Sequence, residues 1–156
     1  MSSALTVEKH MEHVISFFLF GPDISKREFF ESVILTSDWC GFSAKRKVVM
    51  SILNESKILE GKERANFDLS MSKIMKYRNA FAHGEITQSQ GTIFLKYFEG
   101  QARQQELTDD YWMQLEADFK DAHERAAGLL IKLGALNAAE QGAPPDSGDA
   151  THPLRG

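Results

Sequence analysis

Cysteine is almost missing from this chain: Cys40 is the only one in 156 residues. That excludes an intrachain disulfide and any Cys-based zinc site, and it suits a reducing cytoplasm. Basic excess is missing too. A formal charge of −4 argues against a general nucleic-acid coat protein, because broad phosphate binding needs a basic surface, while leaving room for a local site. There is no long hydrophobic run. Phe17 to Phe20 is a short apolar stretch without a basic leader, a cleavage site or the length to span a bilayer, so a core helix is expected and no membrane segment. No internal repeat is visible. What remains, with 42% hydrophobic and 26% charged residues, is the composition of one soluble globular domain large enough to bury a core.

Helical periodicity dominates residues 6 to 136. Thr6 is a candidate N-cap for a first helix that turns Met11, Val14, Ile15, Phe18 and Leu19 inward, and Gly21-Pro22 ends it. His10 and His13, one turn apart beside Glu8 and Glu12, make at best half a metal site, and exposed histidines are the simpler reading. Ser25 and Glu28 have capping-box spacing before Phe29, Phe30, Val33 and Ile34, and this second helix should end near Trp39-Cys40-Gly41. Cys40 reads as a buried structural thiol. Ser43 can cap a third helix carrying Val48, Val49, Ile52 and Leu53, with Lys45, Arg46 and Lys47 as a solvated face. Lys57 to Asn66 reads as a polar connection.

The pattern then changes twice. Thr92 to Phe98 is β-branched and aromatic, and Glu99-Gly100 signals a turn, so a short β-hairpin is expected near residues 92–107. Thr108-Asp109-Asp110 opens the longest helix, whose Trp112, Leu115, Phe119, Ala122, Ala126, Leu129 and Leu133 form a near-heptad seam for the core, for dimerisation or for both. From Gln141 onward Gly, Pro, Asp and Ser predominate. The expected architecture is therefore all-α: an up-and-down bundle of about five helices with a hairpin insertion over residues 1–140, followed by a disordered tail at 141–156.

The chemistry concentrates in Arg78-Asn79-Ala80-Phe81-Ala82-His83-Gly84, the end of an amphipathic helix beginning near Asp68. At about 100° per residue, Phe81, Ile74, Met71, Ala82 and Met75 form an apolar arc with Arg78 in its middle. A guanidinium stays charged there, so it needs a carboxylate, water or an anionic ligand. Ser72, Lys76, Asn79 and His83 make the adjacent polar stripe. Arg78 and His83 lie roughly 140° apart on an ideal helix. Their convergence requires the helix to unwind near His83, which Gly84 as a C′ residue would permit. Arginine, amide and imidazole together form a metal-free kit for cutting a phosphodiester: Arg78 for phosphoryl charge, His83 for protons, Asn79 to orient either. Lys73 and Lys76 are candidate substrate-binding cations beside them. The plain alternative is a structural salt bridge for Arg78 and a helix C-terminal cation at His83. The spacing between them arises readily by chance and decides nothing alone.

The full string R-N-A-F-A-H-G resembles the signature of HEPN domains: Arg, a polar residue, then His after a short gap, with Ala82-His83-Gly84 similar to a common ending. The resemblance implies a helical bundle, often a homodimer with paired motifs lining a cleft between subunits. Many members are metal-independent ribonucleases of toxin-antitoxin, phage-defence or RNA-processing systems. It further implies His83 as acid/base, Arg78 as phosphate ligand and Asn79 as auxiliary, with RNA as substrate, no cofactor or metal, and an antitoxin or other regulatory protein as a candidate partner. In one branch a Tyr two positions after the His is modified by a nucleotidyltransferase antitoxin; Glu85 stands there, against that form of regulation. Two further readings stay open, a non-catalytic binding or scaffold module and a small-nucleotide sensor.

Overall fold

The computed structural model describes residues 2–142, and the features below are those of this span. Helix α1 (Ser2–Phe20) is the hub, packed against α5 and α3, and its Ala4, Val7, Met11, Val14 and Ile15 are buried. These positions follow the three-four spacing that puts side chains on one helix face. Gly21, at φ +55°, stops the helix and returns its N–H to the Phe17 carbonyl at 2.8 Å, a conformation that costs glycine nothing. Thr6 therefore lies inside the first helix rather than capping it.

Helix α2 (Ile24–Phe30) is capped by Asp23, whose carboxylate accepts from the Lys26 N–H at 3.1 Å. The Ser25 and Glu28 capping box does not form. The helix runs on as one π-helical turn at Glu31–Leu35, which turns Glu31 and Leu35 inward, and it stops short of Trp39-Cys40-Gly41. Helix α3 (Phe42–Ser56) starts from an extended Gly41, not Ser43. Its buried stripe is Phe42, Lys45, Val49, Ile52 and Leu53, while Val48 is exposed. Lys57 closes it in the left-handed conformation, φ 53°.

No polar loop of ten residues follows. Helix α4 (Gly61–His83) begins immediately after a short turn, so Glu60-Gly61-Lys62 is its start. Its core stripe is Phe67, Met71, Ile74 and Ala80. Three antiparallel strands then form a sheet in the order β1 (Glu85–Ser89), β2 (Thr92–Phe98), β3 (Ala102–Glu106). The expected hairpin is the β2–β3 pair; β1 adds a third strand, with Glu85 opposite Lys96 and Ile86 opposite Leu95. Leu95, 1% exposed, ties the sheet to the helices, and burying such a side chain is worth about 1.5–3 kcal/mol.

Helix α5 (Asp109–Gly142) is capped by Thr108, whose hydroxyl accepts from the Tyr111 N–H at 3.1 Å. Along its seam Ala122, Ala126, Leu129 and Leu133 are buried, whereas Trp112 is 43% exposed. The seam is core over its later turns. The described residues are thus mostly helical, five α-helices with a small β insertion. They do not form a strict up-and-down bundle, because α2 is only seven residues long and a sheet separates α4 from α5. The tail expected from Gln141 lies outside the described residues, apart from the two that continue α5.

Candidate active site

On α4 the stripe Phe67, Met71, Ile74 reaches the core, and the next position at that spacing is Arg78. There the packing opens. The Arg78 side chain is 37% exposed, makes no hydrogen bond, and finds its nearest carboxylate, Glu8 on α1, only at 3.9 Å. It lines a groove of about 720 Å³ whose other walls include Lys9, His10, Glu12, His13 and Lys45, a space of the size that holds small ligands.

The groove floor is a buried charged network. Glu8, Glu12 and Ser16 form a stripe on α1 at i, i+4, i+8, and all three are buried. Lys45 reaches across from α3 and donates to Glu8 at 2.6 Å and Glu12 at 2.7 Å. Burial pulls the Lys45 pKa down, but the hydrogen bonds to Glu12 and Glu8 and their charges outweigh it, and the ammonium titrates above its ordinary range. Lys9 spans the second oxygen of Glu12 at 2.9 Å and Glu31 at 3.2 Å. Glu31 also accepts from the Ser16 hydroxyl at 2.5 Å and lies 2.9 Å from His13 Nδ1. Burial raises the Glu31 pKa, and the hydrogen bonds from Ser16, His13 and Lys9 more than reverse that, leaving it below the usual carboxylate value. Three carboxylates thus face three cations, so the groove carries little net charge when its imidazoles are neutral.

The rest of the motif points elsewhere. Helix α4 stays α-helical through His83, and Gly84 is extended, φ −92° and ψ 170°, not left-handed. The expected unwinding does not occur. His83 is exposed and opens onto a separate shallow depression with Lys96, Tyr97 and Arg103 from the sheet. Asn79, exposed, lies one turn before it. Gly84 is required for space instead: a Cβ there would sit 2.3 Å from the Ala80 carbonyl oxygen and 2.8 Å from that of Lys96.

Both candidate lysines are engaged. Lys73 pairs with Asp118 on α5 at 3.0 Å, beside Tyr77, whose hydroxyl donates to the same carboxylate at 2.7 Å. Burial and that carboxylate together push the Tyr77 phenol above its ordinary range. Lys76 pairs with Glu99 in the β2–β3 turn at 2.8 Å. Neither lysine lines the Arg78 groove.

The fold brings to Arg78 three groups outside the R-N-A-F-A-H-G string. Lys45 is buried rather than solvated, and the three-four spacing of Phe42, Lys45, Val49 and Ile52 is the signal for that stripe. Glu8 and Glu12, beside the His10 and His13 pair, hold Lys45, and among the described residues no cluster of three or more His, Cys, Asp or Glu is placed to hold a metal. His13, partly exposed, meets Glu31 of the next helical segment, a partner that is not local in sequence. Cys40 is buried in the core, 6% exposed. Among the described residues no helix is long and apolar enough to cross a membrane. Comparison with family models, with curated proteins and with solved structures returned no match to this chain.

Proposed function

We propose that the chain is a metal-independent endoribonuclease of the HEPN type, a candidate toxin or defence effector. In this reading it cleaves RNA by attack of the 2′-hydroxyl on the adjacent phosphodiester. The observation that carries this reading is the state of Arg78: a guanidinium at the end of a core stripe, without a hydrogen bond, opening onto a groove with imidazoles in its wall. Among the described residues its one ion pair, with Glu8, is long at 3.9 Å, unlike that of Arg46, which Asp68 holds at 3.0 and 2.6 Å. Arg78 stabilises the phosphoryl charge and His83 moves a proton. The two open onto different depressions, and in this reading the site is shared, with His83 of one copy meeting the Arg78 groove of another in a homodimer.

The test is RNA cleavage in the presence of EDTA by wild type, Arg78→Ala and His83→Ala, with product ends determined. Wild type yields 2′,3′-cyclic phosphate and 5′-hydroxyl ends. His83→Ala is slower by about 100- to 10,000-fold and Arg78→Ala by about 100- to 1,000-fold. Cleavage by His83→Ala at the wild-type rate would sink the assignment. The separation of Arg78 from His83 favours a second reading, a non-catalytic binding module. It expects no cleavage of any RNA pool and a partner retained by Arg78→Ala.

A further inference from the structure

Among the groove residues His13 stands apart, because only its ring is oriented by a carboxylate that is itself held. Its Nδ1 lies 2.9 Å from Glu31 Oε1, and Glu31 is fixed by Ser16 at 2.5 Å and by Lys9 at 3.2 Å, with only 10% of its side chain exposed. A carboxylate accepts, so Nδ1 carries the hydrogen. In the neutral ring that fixes the tautomer and leaves the Nε2 lone pair free, and no described residue hydrogen-bonds to Nε2. The His13 side chain is 37% exposed and lines the same groove as Arg78. His10 differs: its Nδ1–H is given to the Thr6 carbonyl at 2.7 Å and its ring meets His123 edge-on, with centroids 4.7 Å apart. No anion supports it.

Resting on the ribonuclease reading above, we infer that His13, oriented by Glu31, is the general base of the Arg78 site, and that its substrate is the ribose 2′-hydroxyl next to a phosphodiester. The arrangement is that of a base steered through its far nitrogen by a fixed carboxylate. The 2′-hydroxyl proton passes to His13 Nε2 as the 2′-oxygen bonds to phosphorus. The bond from phosphorus to the 5′-oxygen breaks, and that oxygen takes its proton from the His83 imidazolium. The products are a 2′,3′-cyclic phosphate and a 5′-hydroxyl, and the two histidines exchange protons with water to reset. Glu31 is a positioning residue, since it reaches the substrate only through His13.

The experiment measures cleavage of a defined RNA oligonucleotide by wild type, His13→Ala, His83→Ala and Glu31→Gln, and binding of the same oligonucleotide with a 2′-deoxy sugar at the scissile position. His13→Ala should lose about 100- to 10,000-fold in cleavage while binding the uncleavable oligonucleotide within about threefold of wild type, a gap of less than 1 kcal/mol. Added imidazole should restore part of its activity, which a purely structural role would not allow. Glu31→Gln should lose about tenfold or more with His13 still present, as removal of a carboxylate behind an imidazole does. Lys120→Ala, at an exposed position of α5 that lines neither the Arg78 groove nor the His83 depression, serves as the control and should cleave within about threefold of wild type. Full activity in His13→Ala, or a loss that imidazole never rescues, overturns the role of His13 and leaves the ribonuclease reading standing if His83→Ala is dead. A folded wild type that cleaves no RNA overturns the ribonuclease reading itself.

Discussion

A lysine ammonium with 4% of its side chain exposed keeps its charge only if carboxylates replace the lost water, and Lys45 has two, Glu8 and Glu12. Among the described residues, removing it leaves buried Glu12 with Lys9 alone, at 2.9 Å, and buried Glu8 with only the distant Arg78, at 3.9 Å. Lys45→Met should therefore cost about 3–5 kcal/mol in chemical denaturation. Adding Glu8→Gln and Glu12→Gln should recover part of that, because the repulsion and the desolvated charge disappear together. Glu31 gives the network an acid limit. Its folded pKa lies below its ordinary value of 4.5, so the stability it contributes is complete above that value and is lost as pH falls through the lower folded one. Thermal melts should fall in acid below pH 4.5. Glu31→Gln should melt lower at neutral pH and decline less steeply in acid.

Two backbone positions show what the elements demand of particular residues. Gly84 joins α4 to the sheet where the chain passes against the Ala80 and Lys96 carbonyls, and a methyl there has no room. Gly84→Ala should destabilise by about 1–3 kcal/mol, the usual cost of overpacking a site that cannot yield. Lys57 takes the left-handed C-cap conformation with φ 53° and is exposed. Lys57→Gly should stabilise by up to about 1 kcal/mol, seen as a higher melting temperature. These positions also mark how far sequence carried the fold. Helix interiors were legible in part because apolar spacing is local: the buried faces of α1 up to Ile15, of α3 and of the later turns of α5 fell where periodicity put them, whereas Phe18, Leu19, Phe29, Val33, Val48 and Trp112, expected on the apolar faces, are exposed; Gly21 stopped α1. Caps were not. Asp23 displaced Ser25, and the start of α4 hid in a polar stretch whose outer face is solvent. Strand β1 was missed because Glu-Ile-Thr-Gln-Ser has one large apolar residue, and its pairing with β2 supplies what its composition does not. The motif residues were legible as chemistry but not as geometry, since whether α4 unwinds at His83 depends on how Gly84 packs against β2. Lys45, Glu31 and His13 meet only through contacts between helices, which no local pattern encodes.

For the molecule as a whole, charge and shape bear on how the proposed site would be completed. A net charge of −4 and a nearly balanced groove give little long-range pull on RNA, so binding would rest on a few contacts and depend weakly on salt. The His83 end of α4 leads into β1, where Ile86 is 61% exposed, and the neighbouring Ile93 on the same sheet face is 46% exposed beside buried Leu95. Strand alternation sets these side chains together, and uncovered apolar surface near the exposed His83 is where a second copy would gain most. If one copy supplies Arg78 and the other His83, two dead variants can repair each other. In a mixed dimer of Arg78→Ala and His83→Ala, one site holds both lesions and the other holds neither. Random exchange of subunits puts half of the dimers in that state, so the mixture should recover about a quarter of wild-type cleavage. Were both groups drawn from the same copy, every site in the mixture would keep one lesion, and mixing would restore nothing. The comparison needs only the two purified variants, a subunit-exchange step and the RNA cleavage assay, and it separates a shared site from a self-contained one without reference to the identity of the natural RNA.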